Sequence, residues 1–263
     1  MRIQKTSASS LASPKASRSK IIIRQAHLWE APALGKIAAA SYDIYPKTLS
    51  SWLNPYRHKY WGDYEGGFIE RQWQRSFNPR ILTFVAVDAD APNVPVGYVG
   101  FDRKGSDDGA KRLIASQDTY LLRILGWIFW IYYLIKSWVV GKSRANDPER
   151  LREFNAANAE TETDYWASEG RQNRWHVLSM VVKKDWQKRG IGSMLMAEVI
   201  ARSEEEGVIV GLEASEQGEP LYRRVGFELL ARFKPIFAVM TDADPNVGGH
   251  FMYTPKKLRK EKA

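Results

Sequence analysis

Residues 175–193 read WHVLSMVVKKDWQKRGIGS, and this run decides the fold. Its first eight residues, Trp175 to Val182, form an apolar, β-branched stretch that predicts a strand. Ile191 to Glu205 then has helical spacing, with Ile191, Leu195 and Val199 on one row and Met194 and Ala201 on a neighbouring row. Between strand and helix stands Gln187-Lys188-Arg189-Gly190-Ile191-Gly192-Ser193. Glycines at 190 and 192 allow a tight turn with backbone N–H groups left open. The helix start adds unpaired N–H donors and the positive end of its dipole. Together they make a nest for a pyrophosphate, with the charges of Lys188 and Arg189 beside it. Two familiar phosphate motifs are excluded. Residue 195 is Leu, so G-x-G-x-x-G is incomplete, and no G-K-S/T follows a four-residue gap. Taken alone, two glycines at a helix start are also explained by a purely structural turn.

Working outward, Ile21 to Arg24 predicts a first strand, and Leu28, Ala31, Leu34, Ile37 and Ala38 recur at helical spacing. The aromatic, proline-broken stretch from Ser50 to Trp61 reads as loop or short helix. Glu65 to Phe77 reads as helix, stopped at Asn78-Pro79. Ile81 to Asp88 and Val96 to Asp102 flank a proline-rich turn and predict an antiparallel hairpin. After the central run come a strand (Val208 to Ala214), a short helix (Pro220 to Val225) and closing strands at 227–233 and 251–254. Strands in pairs with interposed helices mean a mixed α/β sheet.

The motif Q-x-x-G-x-G at Gln187, Gly190 and Gly192, between a strand and a helix, resembles the signature of the GNAT N-acetyltransferase superfamily. Leu221-Tyr222-Arg223-Arg224-Val225-Gly226-Phe227 resembles that family's second signature, L-Y-x-x-x-G-F. The clear likeness covers residues 170–233. Leu212-Glu213-Ala214-Ser215, followed by Gly218, resembles a variant of fungal small-molecule members. The resemblance implies an α/β, GNAT-like mixed and mostly antiparallel sheet flanked by helices. It implies acetyl-CoA as co-substrate, no metal, and direct attack by an amine, without an acyl-enzyme.

The same resemblance implies roles. The strand before the turn splays from its neighbour, and backbone groups of Met180, Val181 and Val182 meet the pantetheine arm, with an N–H there serving as oxyanion donor. N–H groups of Gln187, Lys188, Arg189, Gly190, Ile191, Gly192 and Ser193 hold the pyrophosphate. Tyr222 is the general acid, since a phenol of ordinary pKa can protonate a leaving thiolate; otherwise it only packs on the cofactor. Ser215 stands where many members have an asparagine that contacts CoA. His176 shares strand phase with Leu178, Met180 and Val182, which makes it a candidate base. Glu213 competes for that role, and either residue can instead be structural.

The chain has 263 residues and a formal net charge of +9, with 44% hydrophobic and 26% charged residues, values of a globular protein. With no cysteine and four scattered histidines, disulfides, thiolate zinc sites and a cysteine nucleophile are excluded. Residues 1–20 carry +5 and 256–263 carry +4, so 21–255 holds as many acids as bases. Basic tails on a neutral body argue against a nucleic-acid partner. The serine-rich, acid-free tail 1–20 lacks the apolar core of a secretory signal. It reads as a disordered tail, or as a transit-peptide-like segment, on a cytoplasmic protein. The folded domain is expected over 21–255.

Residues 106–174 form a helical insertion where a short connection is expected. Within it, Tyr120 to Val140 is apolar apart from Arg123, Lys136 and Ser137, long enough to span a bilayer. A single crossing would place the strands at 96–102 and 175–182 on opposite sides, although both belong to one sheet. The segment therefore packs on the domain or lines the acceptor cleft, or meets a membrane surface or a dimer partner. The helix from Asp147-Pro148 to Asn158 reads as charged and solvated. Tyr42, Tyr45, Trp52, Tyr56, Tyr60 and Trp61 cluster where the family's acceptor helices sit, and suit a small amine or ordinary packing. The remaining alternative is a catalytically silent acyl-CoA-binding or membrane-associated interaction protein of the same fold.

Overall fold

The computed structural model describes residues 20–44, 48–168, 170–233 and 246–260. The expected tail at 1–19, Tyr45, and part of the 227–233 interval's downstream connection lie outside them. The elements run β1 (Ile21–Gln25), α1 (Ala31–Asp43), α2 (Leu49–Leu53), α3 (Trp61–Ser76), β2 (Ile81–Asp88) and β3 (Ala91–Lys104). They continue with α4 (Asp108–Gln117), α5 (Tyr120–Val139), α6 (Pro148–Thr161), β4 (Arg174–Val182), α7 (Ile191–Glu206), β5 (Ile209–Ala214), α8 (Glu219–Arg224), β6 (Glu228–Ala231) and β7 (Gly249–Tyr253). The C-terminal basic segment forms a short helix, Lys256–Lys260, whose first N–H bonds Glu204.

Among the described residues, one sheet in the order β1-β2-β3-β4-β5-β7-β6 joins all seven strands, and β4–β5 is its parallel pair. The central strands lack a polar face because both faces are covered: Val85, Ala86 and Val87 are each fully buried. One face packs against α7 through Ile191, Leu195, Met196 and Val199. The other packs against α1 and α3 through Leu34, Ala38, Tyr64 and Phe68. Burying a side chain such as Leu195 contributes roughly 1.5–3 kcal/mol, and the edge-on contact of Phe101 with Trp175 at 5.2 Å adds about 0.5–1.5 kcal/mol.

Two strand expectations change. β3 begins at Ala91, because the residues read as a turn pair with β2 through two register shifts near Val87. β4 carries a bulge: Gly100 pairs with Ser179 and Phe101 with Val177, so Leu178 is skipped. The bulge reverses the alternation. Trp175 and Val177 face the α7 core before it, and Met180 and Val182 after it, whereas Val181 joins the α1–α3 core. His176 therefore does not share a face with Met180 and Val182, contrary to the regular-strand expectation.

The insertion is anchored to the body but not swallowed by it. Ala145 is buried in the α1–α3 core, the Asp147 N–H bonds Leu53 O at 3.1 Å, and Arg144 pairs with Asp63 at 2.9 Å. α5 has no buried residue, yet it packs on α3 through Phe129, which meets Trp73 and Phe77, and through Lys136, which pairs with Glu70. α6 is not merely solvated: it buries Ala157 and Thr161 and continues through a π-helical turn, Glu162–Trp166, which buries Trp166.

Arg103 ties the insertion to α7. Fully buried, it bonds Glu206 at 2.8 Å and Asp107 at 2.6 Å. Arg103→Ala leaves two partly buried carboxylates without their cation, so the unfolding free energy falls by about 3 kcal/mol, read as a lower urea midpoint.

Candidate active site

The sheet opens beside β4. Its ladder with β5 covers only Arg174–Val177 against Ile209–Leu212. Beyond that, β4 runs on to Val182 paired with β3 alone. The Lys183 N–H bonds Val96 O on β3 at 2.9 Å. By the two-residue period of a strand, Val181 and Ser179 also turn their backbone groups to β3, while Met180 and Val182 turn theirs into the gap. Of the three residues expected to meet a pantetheine arm, Met180 turns its N–H and C=O into the gap and Val182 its N–H, the Val182 oxygen accepting from Gln187. Val181 turns neither there.

The turn follows directly. Gln187 Nε2 donates to Val182 O at 3.0 Å, fastening the turn to the strand end. Lys188 adopts φ +61° and Gly190 φ +82°, both left-handed. A Cβ at Gly190 would meet nothing within 4 Å, so the space before the helix is open. The first bond of α7 runs from the Met194 N–H to Gly190 O. The N–H groups of Ile191, Gly192 and Ser193 precede it and are the free donors of the helix start. Ile191 contributes only its N–H, because its side chain is core. Lys188 is exposed. Arg189 stacks on Trp186 at 4.7 Å and donates to Asp185 O, which steadies the turn. A Cβ on Gly192 would lie 2.9 Å from Leu221 Cδ2, so this glycine lets α8 approach α7.

α8 holds Tyr222 in the same core cluster that Met180 and Val182 pack against. Burial pushes its phenol well above its ordinary value, and the charge of Tyr42 adds to the rise. Glu219 anchors this helix through Arg223, Arg232 and the Gly248 N–H. Burial raises the Glu219 carboxyl, but those donors outweigh it and hold the group at about 2. Ser215 follows β5, and its Oγ accepts the Gly218 N–H at 3.3 Å, so the hydroxyl shapes the loop into α8.

The other face of the gap was only partly visible in the sequence. Glu213 is the first β5 residue past the last pair with β4. Its carboxylate bonds His176 Nε2 at 2.9 Å, Trp166 Nε1 at 3.1 Å and His250 Nδ1 at 3.3 Å, and its side chain is 34% exposed. Burial pushes Glu213 up, but the two imidazoles outweigh it and hold the carboxyl far below the usual carboxylate range. Arg174 Nε donates to His176 Nδ1 at 3.3 Å. A guanidinium only donates, so Nδ1 is the acceptor and Nε2–H points to Glu213. Both ring nitrogens of His176 are engaged, and neither offers a lone pair to an incoming amine. Arg174 is itself held by Glu162, and Trp166 meets the His176 ring edge-on at 5.4 Å. The π-turn of the insertion thus supplies Glu162 and Trp166, which sequence reasoning missed; an aromatic pair, Tyr165-Trp166, in polar surroundings was the available signal.

A second group links α1 to the bulge. Ser179 Oγ lies 3.1 Å from Tyr42 Oη and 3.0 Å from Tyr98 Oη, and Gln72 donates to Tyr98 at 2.8 Å. Among the described aromatic residues grouped for an acceptor, Tyr42 bonds β4. Trp52 and Tyr60 lie under Arg150 and Arg144 of the insertion, as packing residues. Among the described residues, no cluster of metal-ligating side chains occurs.

A sheet that opens at β4, a left-handed glycine turn and a helix start facing the opening together define a known architecture. The fold is a GNAT acetyltransferase fold. Residues 154–229 match the acetyltransferase (GNAT) domain, from α6 through β4, the turn and α8 into β6. A Corynebacterium glutamicum structure, described as histone acetyltransferase HPA2 and related acetyltransferase, is similar at 18% identity and a TM-score of 0.53, over 90% of this chain and 97% of that one. Arabidopsis thaliana NAA60, solved with a bisubstrate analogue, is 16% identical with a TM-score of 0.48, over 90% of this chain and 99% of that one. Comparison with curated proteins gives no match.

The engagement of His176 makes a testable distinction. His176→Gln lowers the unfolding free energy by about 1–3 kcal/mol, since buried partners lose a bond. The acidic limb of the pH–rate profile stays in place; an essential base would move it or remove it.

Proposed function

We propose that this chain is an N-acetyltransferase that moves an acetyl group from acetyl-CoA to the amine of a small molecule by direct attack. The observation that carries the reading is the gap between β4 and β5, with gap-facing backbone of Met180 and Val182, the free N–H groups at 191–193 at one end and Tyr222 in the flanking core. The residues fit the co-substrate: the space before Gly190 is open, and the donors facing it suit a pyrophosphate. Met180 and Val182 hold the pantetheine amides, and an N–H of this pair stabilises the oxyanion as the amine adds to the thioester carbonyl. Tyr222 then gives its proton to the departing thiolate, as the C–S bond breaks and the amide forms. Glu213, anionic and partly open to solvent at the throat of the gap, attracts a cationic amine and holds it near the carbonyl; the amine gives one proton to solvent before it attacks, and the proton it loses as the amide forms restores the Tyr222 phenol. His176, Trp166 and Arg174 keep that carboxylate in place as positioning residues.

A panel of arylalkylamines, polyamines and peptides, incubated with isotopically labelled acetyl-CoA, tests the reading. Small amines gain the label with release of one CoA thiol per amide formed. Transfer confined to peptide N-termini or lysines overturns the acceptor class, and CoA binding without transfer to any amine overturns the activity.

A further inference from the structure

We infer that α5 is a membrane-surface helix that seats this protein on a bilayer bearing anionic lipid. Its twenty residues extend about 30 Å. It touches the body along one stripe: Phe129 packs on Trp73 and Phe77, Gly126 lies beside Phe77, and Lys136 pairs with Glu70. At 100° per residue, the side opposite Phe129 carries Tyr120, Ile124, Trp127, Ile131, Leu134 and Trp138. Tyr120 is 83%, Trp127 67% and Trp138 88% exposed. Such an area of apolar surface is not left in water without a partner.

Three observations select lipid as that partner. The outward arc covers more than half of the helix circumference, and its charged member, Arg123, is paired with Asp118 at the N-terminal end. A bilayer covers a broad convex arc, whereas a helix–helix seam covers a narrow stripe. The residues on the arc are Trp and Tyr among Ile and Leu, the mixture that rests at the boundary of headgroups and acyl chains. The charge also discriminates. Around the helix, Lys111, Arg123, Lys136 and Arg144 are paired with Asp108, Asp118, Glu70 and Asp63, and Arg112 and Lys142 add positive charge beyond those pairs. That excess attracts an anionic surface and opposes a second copy docking on the same helix. The helix lies in the plane rather than crossing: β3 and β4, at the two ends of the insertion, are neighbours in one sheet, and among the described residues no helix is long and apolar enough to cross a membrane.

The test is co-sedimentation of the full chain with vesicles of phosphatidylcholine, with and without phosphatidylserine. A Trp127→Ser/Trp130→Ser/Trp138→Ser variant is compared with it, and thermal unfolding checks that both are folded. The wild type partitions onto the phosphatidylserine vesicles, less onto phosphatidylcholine alone, and its tryptophan emission shifts to the blue. The variant partitions at least about tenfold less. Both proteins carry the basic tails, so the difference reports α5. Equal sedimentation of the two proteins overturns the inference. So does absence of binding to either vesicle, including the case in which light scattering finds a dimer that the variant loses.

Discussion

Replacing Gly190 with valine raises the KM for acetyl-CoA by about 100-fold or more. The residue sits at φ +82° as the cap of α7, and the space around its missing Cβ is open. A β-branched residue must leave the left-handed region or bear roughly 1–2 kcal/mol of strain. The turn relaxes by re-aiming the N–H groups at 191–193. Each bond from such a donor to a charged oxygen is worth about 1.5–3 kcal/mol, so losing two gives a factor of roughly 10² to 10⁴. Initial-rate kinetics at varied acetyl-CoA measure the change, and circular dichroism confirms an intact fold, since no atom is displaced by the new side chain itself. Gly192→Val behaves differently. Its side chain displaces Leu221, the neighbour of Tyr222, so kcat falls together with the rise in KM. An unchanged KM in Gly190→Val contradicts the assignment of this turn to the pyrophosphate.

Tyr222→Phe lowers kcat by about 10² to 10⁴-fold, the range of a lost general acid, with little change in the KM for acetyl-CoA. Phenylalanine preserves the packing against Phe227, whose ring lies 5.9 Å away, so stability is nearly unchanged. The pH profile carries a second signature. Burial raises the Tyr222 phenol above its ordinary value of about 10. The folded enzyme therefore keeps the acid form through pH 10, and kcat shows no fall from loss of this proton below that point. A basic limb centred below pH 10 that disappears in Tyr222→Phe contradicts the raised value. A variant that retains wild-type kcat removes Tyr222 from the chemistry and leaves it a packing residue.

The strand–turn–helix at 175–206 was legible because turn and helix requirements are local: two glycines, a helical row of apolar residues, and a strand before them. The gap was legible only through resemblance, since splaying is a relation between β4 and β5. The bulge at Leu178 left only a faint mark, which the regular-strand reading passed over: Arg174 and His176 share one strand phase, Ser179 falls in the other, and Gly100 stands opposite on β3. That omission put His176 on the wrong face. Glu213 was visible as a candidate, but its partners Trp166 and His250 come from segments 47 and 37 residues away in sequence. α5 misled for a different reason. A helix apolar on all sides reads as buried, and only the packed structure shows that one stripe of it meets α3.

The most direct test of the central claim is an amide-resolved ¹⁵N titration of the protein with acetyl-CoA. The largest shifts should appear at the N–H groups of Met180, Val182 and Gly190 to Ser193, with Val181 moving less because its N–H is committed to β3. Shifts concentrated elsewhere, with these amides unmoved at saturation, would contradict the account.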